Sequence, residues 1–369
     1  MNYSFEINNA QDSSILASGN VKASSPVVEI FTAMVNGKDL SKYGKKADAA
    51  VTYIKGLGEK ASHGDVSAMA ELNEIRKFSM QPRLLQEIKL LGIFGSYRAL
   101  GWNDTAELEK VEFQNVRADI QAEGLDVSTP FIRKTKEALT PITISAGHKV
   151  NYREIALGNM YNENLLVGEV HKAMRNKAAM YVVETVFKAI ANASGVKYFY
   201  ENAGLVKTNV DALLTKIRRY GKPNVIGDYA VLAQFVPWAG YVGSISSKDV
   251  IGISQKVLDE IADTGIVGKY NGAILSEIVN PYDFSTLNTA GDNYATVLPA
   301  GLAFVTPAAP ANGVTPIQTF SIGGLTSLSG NDVTTGELLT RFDMKIAAGV
   351  AQTDAIGIIH DTNLDALSH

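Results

Sequence analysis

One stretch constrains the fold of this chain more than any other. From Glu169 to Ser194 neither proline nor glycine intervenes, and Val170, Ala173, Met180, Val183, Phe187 and Ile190 recur at steps of three, four or seven. That spacing puts them on one stripe of an α-helix, which Gly195 ends. At 1.5 Å per residue the helix would extend roughly 40 Å, more than a compact single domain usually requires. A spine crossing one face of a flattened subunit is the expected arrangement. The pattern reaches back towards Glu163, but Gly168 costs up to ~1 kcal/mol relative to alanine in a helix interior, so only the later part is counted.

The chain before the spine divides in two. Over the first hundred residues it reads as short helices joined by polar turns. Ser25-Pro26 supplies a cap and a first-turn proline ahead of Val27, Val28, Ile30, Phe31 and Met34, and Gly37 stops that helix. Amphipathic stretches follow at about Lys46 to Lys55, Asp65 to Phe78 and Arg83 to Leu91. Helical periodicity alone carries no chemistry, so this region reads as a small helical domain or arm. From about Leu108 to Tyr152 the period changes to two. Val111 and Phe113 alternate with Lys110, Glu112 and Gln114, and Ile142 and Ile144 alternate with Thr143 and Ser145. Two half-buried strands are implied. The charged stretch between them, Asp119 to Leu139, has too few apolar residues to build a core and reads as a long projecting excursion.

After the spine, strands and helices mix. Asn224-Val225-Ile226-Gly227 reads as a short strand, Tyr229 to Phe235 as a helix start, and Lys248 to Ala262 as an amphipathic helix ended by Gly265. Gly272 to Val279 reads as a strand closed by Asn280-Pro281. Leu298 to Pro316, which bears prolines and glycines, reads as loop and edge structure. Strands are expected at about Gln318 to Ile322, Leu338 to Ile346 and Ala355 to Ile359. The regular βαβ repeat of a nucleotide-binding sheet is missing from this pattern.

Composition narrows the function classes. At 369 residues, 46% hydrophobic and 20% charged, the chain can bury real cores in two or three folding units. With no cysteine it has no disulfide, thiolate metal site or cysteine nucleophile. A net charge of -4 argues against a dedicated nucleic-acid binder, which clusters Lys and Arg against phosphates. The N-terminus lacks a basic stretch followed by an apolar run, and no apolar run approaches a ~20-residue membrane span. Synthesis and residence in a cytoplasm, with no membrane partner, are expected.

Residue patterns that carry chemistry are sparse. His63, His148, His171, His360 and His369 show no i, i+4 or short-loop spacing that seeds a metal site. Gly265, Gly268, Gly323 and Gly324 stand in turn contexts with no anion-binding helix start behind them. Gly252-Ile253-Ser254 lies inside an expected helix, away from any strand-to-helix turn, so no serine nucleophile is read there. Carboxylates are plentiful, and a pair assembled from distant residues would suit a glycosidase, but solvated surface acids are the plainer reading. The basic group Lys216, Arg218, Arg219 and Lys222 could face DNA, although a solvated helix end is the plainer reading. No catalytic, cofactor-binding or metal residue is assigned, and no cofactor is expected.

The order of a helical N-terminal region, a long excursion, a spine helix, a mixed domain and late returning strands resembles the major capsid proteins of tailed phages, the Hong Kong 97 capsid fold. The resemblance covers roughly Leu108 to Asp361. Its most recognisable parts are Gly221-Lys222-Pro223-Asn224-Val225-Ile226-Gly227-Asp228-Tyr229, then Gly268-Lys269-Tyr270-Asn271-Gly272-Ala273 leading to Ile278-Val279-Asn280-Pro281-Tyr282, and Ile356-Gly357-Ile358-Ile359. It implies an α+β fold divided as N-terminal helical region 1–107, extended loop 108–153, spine helix of a peripheral domain 154–205, axial domain 206–330 and returning peripheral strands 331–369. It also implies a shell protein, not an enzyme, that self-assembles as hexamers and pentamers around double-stranded DNA contacted without sequence preference. Scaffold, portal and decoration proteins are its implied partners, and its implied location is the virion, assembled in a bacterial cytoplasm. Some members of that family cross-link a loop lysine to an asparagine of another subunit. Lys134 and Lys136 lie in the corresponding region, with no local motif for a partner. In other members the N-terminal region is an internal scaffold removed by a protease, and a chain read from Met1 is expected to retain it. The alternatives are an encapsulin-like nanocompartment shell, a carbohydrate-active enzyme, and another phage component such as a tail or decoration protein.

Overall fold

The computed structural model describes residues 25–35, 38–89, 92, 94–113, 132–151, 160–239, 266–288, 291–310, 315–332 and 337–364. The helix expected at Lys248 to Ala262, with Gly252-Ile253-Ser254 and Gly265, lies outside them, as do Gly37, the middle of the charged excursion and His369.

Among the described residues three α-helices form the N-terminal region: α1 (Pro26–Val35), α2 (Lys45–Ser62) and α3 (Val66–Lys89). Val27, Ile30 and Phe31 of α1 join Ala50, Ile54 and Leu57 of α2 and Leu72 and Ile75 of α3 in one buried cluster. Val150 and Leu338, from strands of the main body, belong to the same cluster. The region is therefore packed into the subunit. Inside it α3 is surrounded, and even its polar residues Glu71, Asn73, Arg76 and Ser79 are buried. Arg76 Nη1 donates to Thr340 Oγ1 at 3.1 Å, tying this helix to the strands.

Two stretches were expected where α3 runs as one helix. Pro82 lies between them, and an interior proline removes a backbone hydrogen bond and costs about 3 kcal/mol. The helix continues because residues on both sides of it, Met80 and Leu84, are buried in the main core, and packing outweighs local propensity. Likewise α2 runs past Lys55 to Ser62 through Gly56 and Gly58.

The main core lies between the spine and a four-stranded sheet. The spine, α4 (Met160–Ala191), is longer than the expected Glu169 to Ser194 at its start and stops three residues earlier. Val167, Met174, Ala178, Val182 and Ile190 are its most deeply buried described residues. It passes through Gly168, where an added Cβ would meet nothing within 4 Å. Gly168→Ala is expected to raise stability by up to ~1 kcal/mol, read as a higher urea midpoint; a lower midpoint would contradict this account of the helix.

The sheet has the order β1 (Ser96–Leu100), β12 (Ile317–Asp332), β13 (Glu337–Val350), β4 (Ile142–Asn151). Strand β1 falls where only helices were expected. It pairs in parallel with Gln318–Ile322, a partner over two hundred residues away, and has only one alternation to mark it. Strand β12, at 16 residues, is about three times the expected length because Gly323 and Gly324, read as turn glycines, form a bulge inside it at φ 72° and 71°. The bulge requires glycine at Gly323, where a Cβ would stand 2.4 Å from the Trp102 ring.

A second sheet has the order β5 (Tyr198–Asn202), β14 (Gly357–Asp361), β11 (Leu302–Pro310), β6 (Gly221–Gly227), β8 (Ala273–Glu277), β7 (Lys269–Tyr270). Helix α5 (Lys207–Ile217) buries Val210, Leu213, Leu214 and Ile217 against it. After β6, Asp228 Oδ1 accepts from Ala230 N at 2.7 Å and opens the short helix α6 (Tyr229–Leu232), continued by a 3-10 turn to Phe235. The expected loop and edge at Leu298 to Pro316 is here a central strand. Strand β11 pairs with β14 only over Leu302–Val305 and with β6 as far as Pro310, so Pro307 lies where one neighbour has already ended. A proline lacking its N–H is tolerated there.

Candidate assembly surfaces

Among the described residues two pairs of strands stand outside these sheets. The first is a ribbon of β2 (Glu107–Phe113) and β3 (Ile132–Ala138), joined to each other alone in a two-stranded sheet. This corrects the expected pairing: the strand at Ile142 belongs to the four-stranded sheet, and the return strand of the ribbon lies inside the stretch read as charged excursion. Strand β3 carries Arg133, Lys134, Lys136 and Glu137 where an ordinary strand alternates apolar residues, so hydrophobic period gave no sign of it. Its chemistry is a cross-strand ladder. Lys110 Nζ meets Glu137 Oε2 at 2.5 Å and Lys136 Nζ meets Glu107 Oε2 at 2.7 Å, all four side chains largely exposed. The bond to Glu107 and its charge hold the Lys136 ammonium above the usual lysine range.

The ribbon is anchored at its base. Ala106 packs with Phe320, Ile322 and Ala347, with Leu139 against them, and Gln318 bridges the backbone of Glu109 through bonds of 3.1 and 2.9 Å. Beyond this base the described side chains of the ribbon are polar, and all but Thr135 are charged. Exposed ion pairs of this kind contribute little, so the double variant K110A/K136A should leave the Tm of the unassembled protomer unchanged within about 2 °C. A larger fall would mean that the ladder belongs to the protomer's own stability.

The second pair is β9 (Tyr282–Leu287) with β10 (Tyr294–Thr296). It displays Tyr282, Phe284, Leu287 and Tyr294, each at least two-fifths exposed, with Phe284 75% exposed. The Phe284 and Tyr294 rings meet edge to face at 5.2 Å. Between this hairpin and the outer side of α4 lies a cleft of about 730 Å³ whose walls include Lys172, Arg175 and Met180 facing Tyr282 and Phe284. A grouped aromatic display of this size on a monomer's surface marks an interaction site. The sequence reading missed it, although Tyr282 and Phe284 alternate with Asp283 and Ser285.

The residues weighed earlier for chemistry are scattered. His148 is buried and stacked on Phe342 at 6.1 Å, His171 is buried in α4, and buried His360 has Nδ1 3.0 Å from Glu201 Oε2. His63 sits on the surface with Nδ1 2.7 Å from the Glu59 carbonyl oxygen. Among the described residues no group of three or more His, Asp or Glu could hold a metal ion. Lys216 lies 5.5 Å over the Tyr198 ring, and Arg218 donates to the Asn271 carbonyl. With exposed Arg219 and Lys222 they form a solvated helix end. Lys134 is exposed on β3 beside the ladder. Among the described residues no helix is long and apolar enough to cross a membrane.

A mixed α and β subunit with a solvated two-stranded arm, a spine helix of 32 residues and a displayed aromatic hairpin is the form of a protein built to assemble with copies of itself. The family model described as "SPbeta prophage-derived putative capsid protein YonB" matches residues 13–360, and the chain belongs to that family. It is a capsid protein of the phage head shell. No curated protein matches it in sequence. Among solved structures it is similar to a chain of "Asymmetric unit of bacteriophage PhiM1 mature capsid" (13% identical, covering 73% of this chain and 86% of that one, TM-score 0.43). It is also similar to a chain of "Capsid of native GTA particle computed with C5 symmetry" (10%, 76% and 91%, TM-score 0.45). A third is "Crystal structure of virus-like particle from Pyrococcus furiosus" (9%, 76% and 97%, TM-score 0.42). The assignment rests on the family model and not on these likenesses.

Proposed function

We propose that this chain is the repeating subunit of an icosahedral head, arranged as hexamers and pentamers around double-stranded DNA, and that it works by contact and not by catalysis. The observation that carries this reading is the ribbon: a two-stranded arm that, among the described residues, is anchored at its base alone. An isolated two-stranded ribbon is marginal in water, so it gains its order by lying across a neighbouring subunit. In the Hong Kong 97 arrangement the ribbon of β2 and β3 belongs to the extended loop, the spine α4 and the four-stranded sheet to the peripheral domain, and the six-stranded sheet to the axial domain at hexamer and pentamer centres. Helices α1 to α3 remain with the subunit, since they share a core with Val150 and Leu338.

Each subunit contact in such a shell buries about 1,000 Å² or more, and closed symmetry multiplies modest contacts. DNA is held without sequence preference, as suits a net charge of -4. Scaffold, portal and decoration proteins complete the assembly in the host cytoplasm, and the finished protein resides in the virion. Light scattering of the purified chain tests this. Particles of megadalton mass are expected, whereas a stable monomer under every assembly condition tried would overturn the proposal. Imaging of particles from the native source separates a head from an encapsulin-like compartment by DNA filling and a tail vertex.

A further inference from the structure

We propose that the outer edge of β12 from Leu325 to Asp332 is a strand-accepting site, and that its occupant is the N-terminal segment Tyr3–Asn8 of this polypeptide. Strand β12 is paired with β13 along its whole length, from Ile317 opposite Val350 to Asp332 opposite Glu337. On its other side β1 covers only Gln318–Ile322. Past the bulge at Gly323 and Gly324, no strand among the described residues pairs with the outer edge. Alternate residues there turn an N–H and a C=O outward, a ready template for another strand.

The residues of this edge fit a site that receives a strand. Folded proteins guard open edges with lysines, prolines or inward charges. Here the run is Leu-Thr-Ser-Leu-Ser-Gly-Asn, uncharged until Asp332. Beneath it the core layer stops short. Phe342 and Thr340 of β13 are fully buried, while Ser327 and Ser329, opposite them on the same face of β12, are partly and largely exposed. A strand added beside β12 with apolar side chains on that face would continue the layer.

Tyr3-Ser4-Phe5-Glu6-Ile7-Asn8 has that form. Tyr3, Phe5 and Ile7 fall on one face at a period of two, and Ser4, Glu6 and Asn8 on the other. The attachment point is at the right end of the hairpin. Helix α1 begins at Pro26, and its core cluster includes Leu338, which pairs with Asn331 on the edge strand itself. The chain between Asn8 and Ser25 spans up to ~55 Å when extended, enough to reach this subunit's own edge or that of a neighbour. Backbone bonding supplies the affinity, and the three apolar residues supply register, as in other β-augmentations. Shells could form by the ribbon alone, so this site and the shell reading fail separately.

Hydrogen exchange on the full chain tests the pairing, comparing it with the variant Y3S/F5S/I7S, both as particles and as unassembled protein. The outward-facing amides between Leu325 and Asp332 are expected to exchange at least ~100-fold faster in the variant, with the amides of β13 unchanged as a control for folding. Equal exchange of the edge amides in both proteins would overturn the proposal. Because the chain has no cysteine, E6C can be combined in turn with T326C, L328C and G330C as the only thiols present. Oxidation is expected to link one of these pairs, within a chain or between two chains according to gel mobility. No link in any of the three would overturn the proposal even if the triple-serine variant failed to fold.

Discussion

A chain in which residues 111–134 are replaced by Asn-Gly, so that Lys110 turns directly into Thr135, is expected to fold and not to assemble. Lys110 and Thr135 are opposite one another in the ribbon, and Asn-Gly is the favoured two-residue closure of such a pair. The base survives the excision: Ala106, Leu108 and Leu139 remain, with Gln318 still bridging the backbone of Glu109. No buried residue that belongs to a described core cluster is removed. The Tm of the unassembled protomer should therefore move by only a few degrees. Assembly should fall by more than ~100-fold, because a contact repeated by every subunit of a closed shell weakens the whole when it is lost. Gradient sedimentation reads the particles, and calorimetry of the slow-sedimenting fraction reads the fold. Shells at the normal yield would show that the ribbon is not part of the subunit contact.

The second large effect concerns Glu71. Its side chain is almost wholly buried in α3, one oxygen accepting from the Tyr53 hydroxyl. Among the described residues the other oxygen, Oε2, has no hydrogen-bond partner. Burial pushes this carboxyl up to about 7, against the opposing pull of the Tyr53 bond and Lys60; burial and Glu71 push the Tyr53 hydroxyl up as well. The folded protein therefore holds a proton that the unfolded chain releases near the ordinary glutamate value. Below about pH 4.5 both states carry it and nothing is lost. Between about 4.5 and 7 stability falls as pH rises, and above 7 the loss levels at about 3 kcal/mol, the free energy of such a shift. Glu71→Gln keeps an acceptor for Tyr53 and removes the titration. Urea unfolding of the unassembled protomer is expected to show the variant more stable by about 2 to 3 kcal/mol at pH 8 and nearly equal to the wild type at pH 4.5. Parallel pH profiles would contradict this account of the buried pair.

What could be read without coordinates follows from where local pattern and tertiary structure agree. The spine announces itself because one stripe of Val, Met, Phe and Ile persists through it, and α1 because Ser25-Pro26 opens a short apolar run. The mixed architecture was legible for the same reason. Elements whose stability comes from distant partners were not. Strand β1 exists by pairing with Gln318–Ile322. Strand β11 holds two prolines, and only the early end of β14 makes them tolerable at the centre of a sheet. In β3 ion pairs to β2 take the place of apolar alternation. Residues Gly323 and Gly324 read as a turn, yet they let β12 bend past Trp102 and continue. The aromatic hairpin was missed for a different reason: its alternation is present at Tyr282 and Phe284 but only two residues long before Ser285 and Thr286 dilute it. Glu71 gave no sign, because nothing local distinguishes a buried glutamate from a solvated one on the same helix.

Cryo-electron microscopy of the assembled full-length chain tests the central claim most directly, since it locates the ribbon relative to the body. The expected result is a closed icosahedral shell in which β2 and β3 of each subunit lie on an adjacent copy. A compact particle of one subunit, with that ribbon folded back onto its own spine and sheets, would contradict it.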